Sequence, residues 1–268
     1  MSILDVNTKV LMHMNESTFK DEVGHIVTKI GSPILDTTIK KFKEGSARLG
    51  TRDCLNVSYG DTDYKTIDFW FNLVSSTQTF NFLFTLTGSY FGVFTNPSRK
   101  LSTWYGSSGT LGTTVLDLGT WYHCAVTIDG NAIKVYLNGN LEISATYSLP
   151  RAVGMLRING WTDNSNWLAN CYIDEFRVSN IIRWTTDFTP NVREYGITVK
   201  YLIQDGTELK TISGGNLITV CNTTDDNSLI ENSFLTSGLD ILTSWNNSLA
   251  SQIVNNTFKV AIYRKYVE

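Results

Sequence analysis

The chain has 268 residues and a net charge of -3, with 42% hydrophobic, 12% aromatic and 18% charged residues and 4 prolines. That length lets folding bury roughly 70–75% of the unfolded surface, and the composition excludes an intrinsically disordered chain. No basic block stands out, which argues against nucleic-acid binding, and no apolar run approaches the length of a membrane span.

Residues 1–7 read as a short arm, followed by a first strand at 8–14 and a polar connection at 15–24. Strands are expected at 26–30, before Gly31-Ser32-Pro33, and at 55–57. Segments 66–73 and 80–86 alternate, with Ile67, Phe69 and Phe71 on one side and Asp68, Trp70 and Asn72 on the other. Two shorter strands, 91–95 and 101–105, are separated by Asn96-Pro97. The clearest stretch is 121–140, WYHCAVTIDGNAIKVYLNGN, where alternation is broken by Asp129-Gly130 and again by Asn138-Gly139. Such dipeptides supply the positive φ angles of tight hairpins, so a meander is expected here. Short strands at this spacing, with no long amphipathic helix, predict an all-β, antiparallel jelly-roll β-sandwich.

The pattern W.H.A.T.DG..I.VYLNG resembles the signature hairpin of the laminin G-like, or concanavalin A-like lectin/glucanase, family. VLMH at 10–13, IDFWF at 67–71, YIDEFRV at 172–178 and RWTTDFTP at 183–190 fall in that family's order. The likeness covers roughly residues 8–193 and implies a first domain at 1–193. Beyond Pro190 the chain turns rich in Asn, Ser and Thr and contains no further proline. Segments 198–204 and 208–212 flank Asp205-Gly206, a third strand is expected at 217–221 and a last one at 258–266. A short helix is expected at 240–250. This small C-terminal β-rich module, 194–268, resembles one found in phage and prophage tail proteins.

Cys54, Cys124, Cys171 and Cys221 form no C-x-x-C pair and are expected to be free thiols. The opening MSILDVNTKV lacks a charged-then-apolar leader, so synthesis in the cytoplasm without a signal peptide is expected.

For catalysis, a glycosidase needs two carboxyls about 5–9.5 Å apart. The E-x-D-x-x-E and E-x-D-x-E patterns of glucanases resembling this fold are absent, and Asp174-Glu175, being adjacent, should point to opposite sheet faces. His13 and His25 are unpersuasive bases, and His123 is expected to be a structural imidazole. No enzyme activity is expected. The family resemblance implies a structural calcium ion bound by Asn15, Asp21 and Asp174. The alternative is that Asp21 caps its loop and Asp174 pairs with an arginine such as Arg177. For glycan binding, Trp70, Trp121 and Trp184 are set aside as packing residues. Trp104 and Tyr105 precede a Gly/Ser turn, and Trp161 and Trp167 flank a polar loop with Asp163, Asn164 and Asn166. Aromatics beside polar loops form candidate platforms, so mutation of Trp161 or Trp167 is expected to abolish ligand retention without unfolding.

Together these point to a non-catalytic, lectin-like recognition module. Its expected partners are a cell-surface or cell-wall glycan and other phage tail or virion proteins, with homo-oligomerisation open. A structural, oligomerising virion protein and a glycoside hydrolase on the same fold are the alternatives.

Overall fold

The computed structural model describes residues 2–3, 7–42, 44–60, 63–106, 108–149, 154–161, 167–191, 195, 197–198, 200–205, 208–213, 216–222 and 258–263, with side chains described between 7 and 195. The strands run β1 (Ser2–Ile3), β2 (Thr8–Met12), β3 (Val27–Ile30), β4 (Ile34–Asp36), β5 (Ser46–Leu49), β6 (Cys54–Val57) and β7 (Thr66–Ser75). They continue as β8 (Asn81–Leu86), β9 (Phe91–Thr95), β10 (Leu101–Tyr105), β11 (Ser108–Leu111), β12 (Trp121–Asp129), β13 (Ala132–Leu137) and β14 (Asn140–Thr146). The last are β15 (Leu156–Ile158), β16 (Asn170–Ser179), β17 (Ile197–Thr198), β18 (Lys200–Asp205), β19 (Glu208–Ser213), β20 (Asn216–Asn222) and β21 (Phe258–Tyr263).

The chain divides into two compact units, Val6–Tyr195 and a second made of Met1–Asp5 with Gly196–Glu268. In the first, two antiparallel sheets form a sandwich. One has the order β11-β10-β9-β8-β15-β6-β3, and the other β14-β13-β12-β7-β16-β5-β4 with β2 also paired to β16. In the second unit β1 pairs with β17, and β20-β19-β18-β21 form a four-stranded sheet. The opening arm thus groups with the C-terminal unit because Ser2 and Ile3 pair with Thr198 and Ile197. The expected helix at 240–250 lies outside the described residues.

Alternation drives the core. Ile67, Phe69, Phe71 and Leu73 from β7 meet Cys124, Val126 and Ile128 from β12 and Phe84, Phe91 and Val93 from the facing sheet, all buried. Phe69 stacks on Phe176 at 5.1 Å and meets the edge of Phe84 at 5.7 Å, which ties the two sheets at their centre. Burial pushes the Cys171 thiol up to about 12 and Cys124 higher still, so both behave as small core hydrophobes. Cys54 is likewise buried and free.

One irregularity resets a strand. Between Asp174 and Arg177 the β16–β7 register shifts, and Glu175 takes φ 51°, the mark of a β-bulge. Upstream, Cys171 and Ile173 face the core; downstream, Phe176 and Val178 do. Asp174 and Glu175 therefore share the outer face, which corrects the expectation that adjacency would send them to opposite sides. Both reach partners there, Asp174 on residues 41–42 and Glu175 on Tyr195.

The β13–β14 turn shows why a glycine is required. Asn138 and Gly139 both have positive φ, as a two-residue hairpin turn demands. A Cβ on Gly139 would lie 1.8 Å from the Phe188 carbonyl, whose residue also donates its N–H to Gly139 O at 2.9 Å. That contact seats residues 183–190 across the outer face of the eight-stranded sheet. Trp184 stacks on Phe188 at 4.0 Å, and the edge of His123 meets both rings.

Candidate functional site

Strand alternation separates Trp104 from Tyr105. Tyr105 turns inward, packs against the core, lies 5.7 Å from Tyr147 and donates its hydroxyl to Ser148 O at 2.6 Å. It leaves the platform expected for it. Trp104 turns outward and joins Phe80, Phe82, Phe94, Trp161 and Trp167 in a second aromatic cluster on the outer face of the seven-stranded sheet. Phe80 is the hub, with ring centroids 5.2 Å from Trp104, 5.1 Å from Trp167 and 5.1 Å from Phe94. The two candidate platforms read from sequence are thus one patch, bridged by phenylalanines that sequence reasoning had not singled out.

Each ring is held from below. Asn81, buried, donates its amide to Gln78 O and Thr95 O, both at 2.8 Å, which closes the turn presenting Phe80. Gly92 has no side chain where a Cβ would lie 3.0 Å from the Phe82 ring and 2.6 Å from Phe84 O. Trp161 is only 9% exposed and packs 4.6 Å from Phe82, whereas Trp167 is 36% exposed. The main-chain N–H of Phe82 donates to Trp167 O at 3.1 Å, which ties Trp167 to β8. Asp163, Asn164 and Asn166 lie outside the described residues.

The carboxylates expected to hold a metal are engaged otherwise. Asp21, buried, accepts the N–H of Leu11 at 2.7 Å, of Gly24 at 3.1 Å and of His25 at 3.0 Å, and contacts His25 Nδ1 at 2.6 Å. Asp174 accepts the N–H groups of Lys41 and Phe42 at 3.0 and 3.2 Å. Donors aimed at a carboxylate put hydrogens where a cation would sit, so these two side chains fit loop closure and do not fit calcium ligation. Asn15 stands half-buried, and among the described residues no group of three or more His, Cys, Asp and Glu side chains could hold a metal ion.

Arg177, the arginine considered for Asp174, forms a bidentate pair with Asp68 at 3.0 Å on both arms. This pair anchors a buried polar network on the outer face of the eight-stranded sheet. His123 Nε2 lies 2.8 Å from Tyr195 Oη and 3.6 Å from Asp68, and the Arg177 guanidinium stacks 3.9 Å over the Tyr195 ring. Glu175 accepts Tyr195 N–H at 2.6 Å and contacts His13 Nδ1 at 2.6 Å. Burial alone would raise the Asp68 carboxyl, but Arg177 and His123 outweigh it and hold it below the usual carboxylate range. Burial lowers His123, opposed by Asp68, and raises the Tyr195 phenol.

The sign for His123 follows from linkage. Below its ordinary value of 6.5 the unfolded chain takes a proton that the folded chain refuses, so stability falls as pH drops through that window. The expected slope from this group approaches about 1.4 kcal/mol per pH unit. Urea midpoints for the wild type and His123→Gln between about pH 7 and pH 5 check it. Parallel curves would refute the assignment.

The buried carboxyls of this face, Asp68, Asp174 and Glu175, meet Arg177 or main-chain N–H donors. With the geometry in place, comparison with known proteins is direct. A laminin G-type model of the concanavalin A-like lectin/glucanases superfamily matches residues 46–184, more than half of the chain. The chain belongs to this superfamily. Its match runs from β5 to Trp184, taking in the signature hairpin and both faces described above. Comparison with curated proteins gives no match.

Similar solved structures share the superfamily's fold at low identity. Domain 4 of AbnA, a GH43 extracellular arabinanase from Geobacillus stearothermophilus solved with arabinotriose, has TM-score 0.51 and 17% identity, over 65% of this chain and 92% of that one. The botulinum neurotoxin type G receptor binding domain has TM-score 0.51 and 10% identity, over 80% and 65%. A Trypanosoma rangeli sialidase mutant displaying trans-sialidase activity has TM-score 0.51 and 11% identity, over 69% and 31%. The chain therefore spans under two thirds of the toxin domain and about a third of the sialidase.

Proposed function

We propose that the sandwich is a non-catalytic glycan-binding module whose contact surface is the aromatic patch around Trp167. The observation that carries it is Trp167 itself, a large ring 36% exposed, braced by Phe80 and joined to the half-buried Trp104. Rigid, partly exposed aromatics on a sheet face suit the flat faces of sugar rings, and well-braced rings lose little entropy on binding. Sugar ligands on the same fold support this reading. One neighbour was solved with arabinotriose. Another, at TM-score 0.50 and 13% identity, comes from botulinum neurotoxin type C, whose cell entry depends on interaction with two ganglioside molecules.

Trp167→Ala is expected to weaken retention on bacterial cell walls or purified polysaccharides about 30-fold, corresponding to about 2 kcal/mol. Its melting temperature should stay near that of the wild type, and chelator should change neither value. Equal retention by the variant would remove the patch from the reading, and release of reducing ends from any polysaccharide would replace it with hydrolysis.

We also infer, from the resemblance of residues 197–266 to tail-protein modules, that the chain is a component of a phage or prophage particle. Its absence from purified particles of the source strain would overturn this. A second reading, a structural protein that self-associates, is favoured by one observation. Ile26 (73% exposed), Ile30, Ile34 (59% exposed) and Ile39 stand exposed along or beside the edge strands β3 and β4. A monomer by sedimentation at high concentration would remove it.

A further inference from the structure

Arg157 on β15 is a cationic side chain bonded to the backbone of the aromatic patch. Its register places it on one rung of the outer face with Asn56, Thr85, Gly92 and Trp104. The guanidinium is held at two points: Nε donates to Asn56 Oδ1 at 2.9 Å, and Nη1 donates to Trp161 O at 2.6 Å. Trp161 is in turn packed on Phe82 and Trp167, so the guanidinium lies at the border of the patch.

An arginine has five N–H donors, and these two bonds leave both hydrogens of Nη2 and one of Nη1 without a partner among the described residues. The edge shared by Nη1 and Nη2 is one that can meet a planar carboxylate bidentately, and the Nη2 arm beside it is unspent among the described residues. Arg157 is half-buried, and among the described residues no carboxylate lies within ion-pair distance of it. Arg177 shows the contrast, with both arms spent on Asp68. Arg48 is also different, since its donors go to the Leu49 and Cys171 carbonyls and to Asn170.

Resting on the glycan-binding reading above, we propose that the ligand is an acidic glycan, and that the fork of Arg157 receives a sugar carboxylate beside the Trp167 ring. Fixing the guanidinium through Asn56 and the Trp161 carbonyl lowers the ordering needed on binding, so the contact discriminates as well as attracts. A neutral sugar would leave a half-buried charge facing a hydroxyl.

The test uses the full chain and three acidic polymers, polygalacturonate, hyaluronan and polysialic acid, each beside its carboxyl-reduced form, with affinity read by gel retardation. The wild type should bind at least one acidic polymer about 10- to 100-fold more tightly than its reduced form, the range expected of a charge-assisted pair. Arg157→Gln should erase that difference, and Arg157→Lys should restore little of it, while Trp167→Ala weakens both forms. Thermal melts of the three variants separate lost contact from lost fold.

Equal binding of acidic and reduced polymers, with Trp167→Ala still defective, would overturn the carboxylate assignment and leave glycan binding standing. Full recovery in Arg157→Lys would reduce the contact to a point charge and overturn the fork. Failure of every polymer, acidic and neutral, would remove the parent reading together with this one.

Discussion

Asp68→Ala is expected to cost about 3–5 kcal/mol of folding stability, because it strands a guanidinium that is itself buried. Arg177 donates from Nε and Nη2 to Asp68 and has its face on Tyr195, so losing the carboxylate takes the bidentate counter-ion from a buried charge. His123 loses the same neighbour. Chemical denaturation checks the value. The double variant Asp68→Asn with Arg177→Met should lose less than Asp68→Ala alone, since a pair removed together leaves no isolated charge. A loss under about 1 kcal/mol, the scale of an exposed ion pair, would show that the network is open to water.

Trp161→Ala should be comparably severe, about 3–5 kcal/mol, by the cost of deleting a buried aromatic. The ring sits 4.6 Å from Phe82 and 6.4 Å from Trp167. Its removal opens a void under the patch and undercuts glycan binding through disorder. Trp161→Phe should recover most of the stability, and Trp167→Ala should cost far less because its ring already meets solvent. Differential scanning calorimetry of the three separates them. Sequence placed Trp161 and Trp167 alike on a ligand surface; their burial differs, so the proposed contact falls on Trp167 with Trp161 as its support.

How far this was legible in the sequence can be argued residue by residue. The hairpin at β12–β13–β14 was legible because period-two alternation and Asn-Gly or Asp-Gly turns are local signals, and the structure pairs Ile128 with Ile133 and Leu137 with Asn140 accordingly. The same alternation separates Trp104 from Tyr105, yet their shared position beside a Gly/Ser turn drew both into one platform. That Trp104 and Trp167 would both meet Phe80 depends on β8 lying between β9 and β15, a non-local arrangement that no spacing records. Phe80 and Phe82, two apart beside a register shift on β8, were a usable hint of an outward aromatic face. Asp68 looked like an ordinary outward residue of an alternating strand, and its partner Arg177 is 109 positions away. The same distance effect hid Arg157, whose two anchors come from β6 and the turn after β15.

The extra residue in β16 has a consequence for how this strand tolerates length change. A strand is read like a two-beat measure, and Glu175 is an added beat that the bulge holds on the outer face, so that Phe176 re-enters on the inward one. Deleting it would leave the measure whole: Asp174, outward, would be followed directly by Phe176, inward, and Phe176, Arg177 and Val178 would keep their sides. The shortened strand would pair with β7 without a register shift between Asp174 and Arg177. What would go is the carboxylate that accepts Tyr195 N–H and contacts His13. A related sequence can therefore lose this one residue with its core intact, and where it does so it should give up the polar tie to the position of Tyr195 as well.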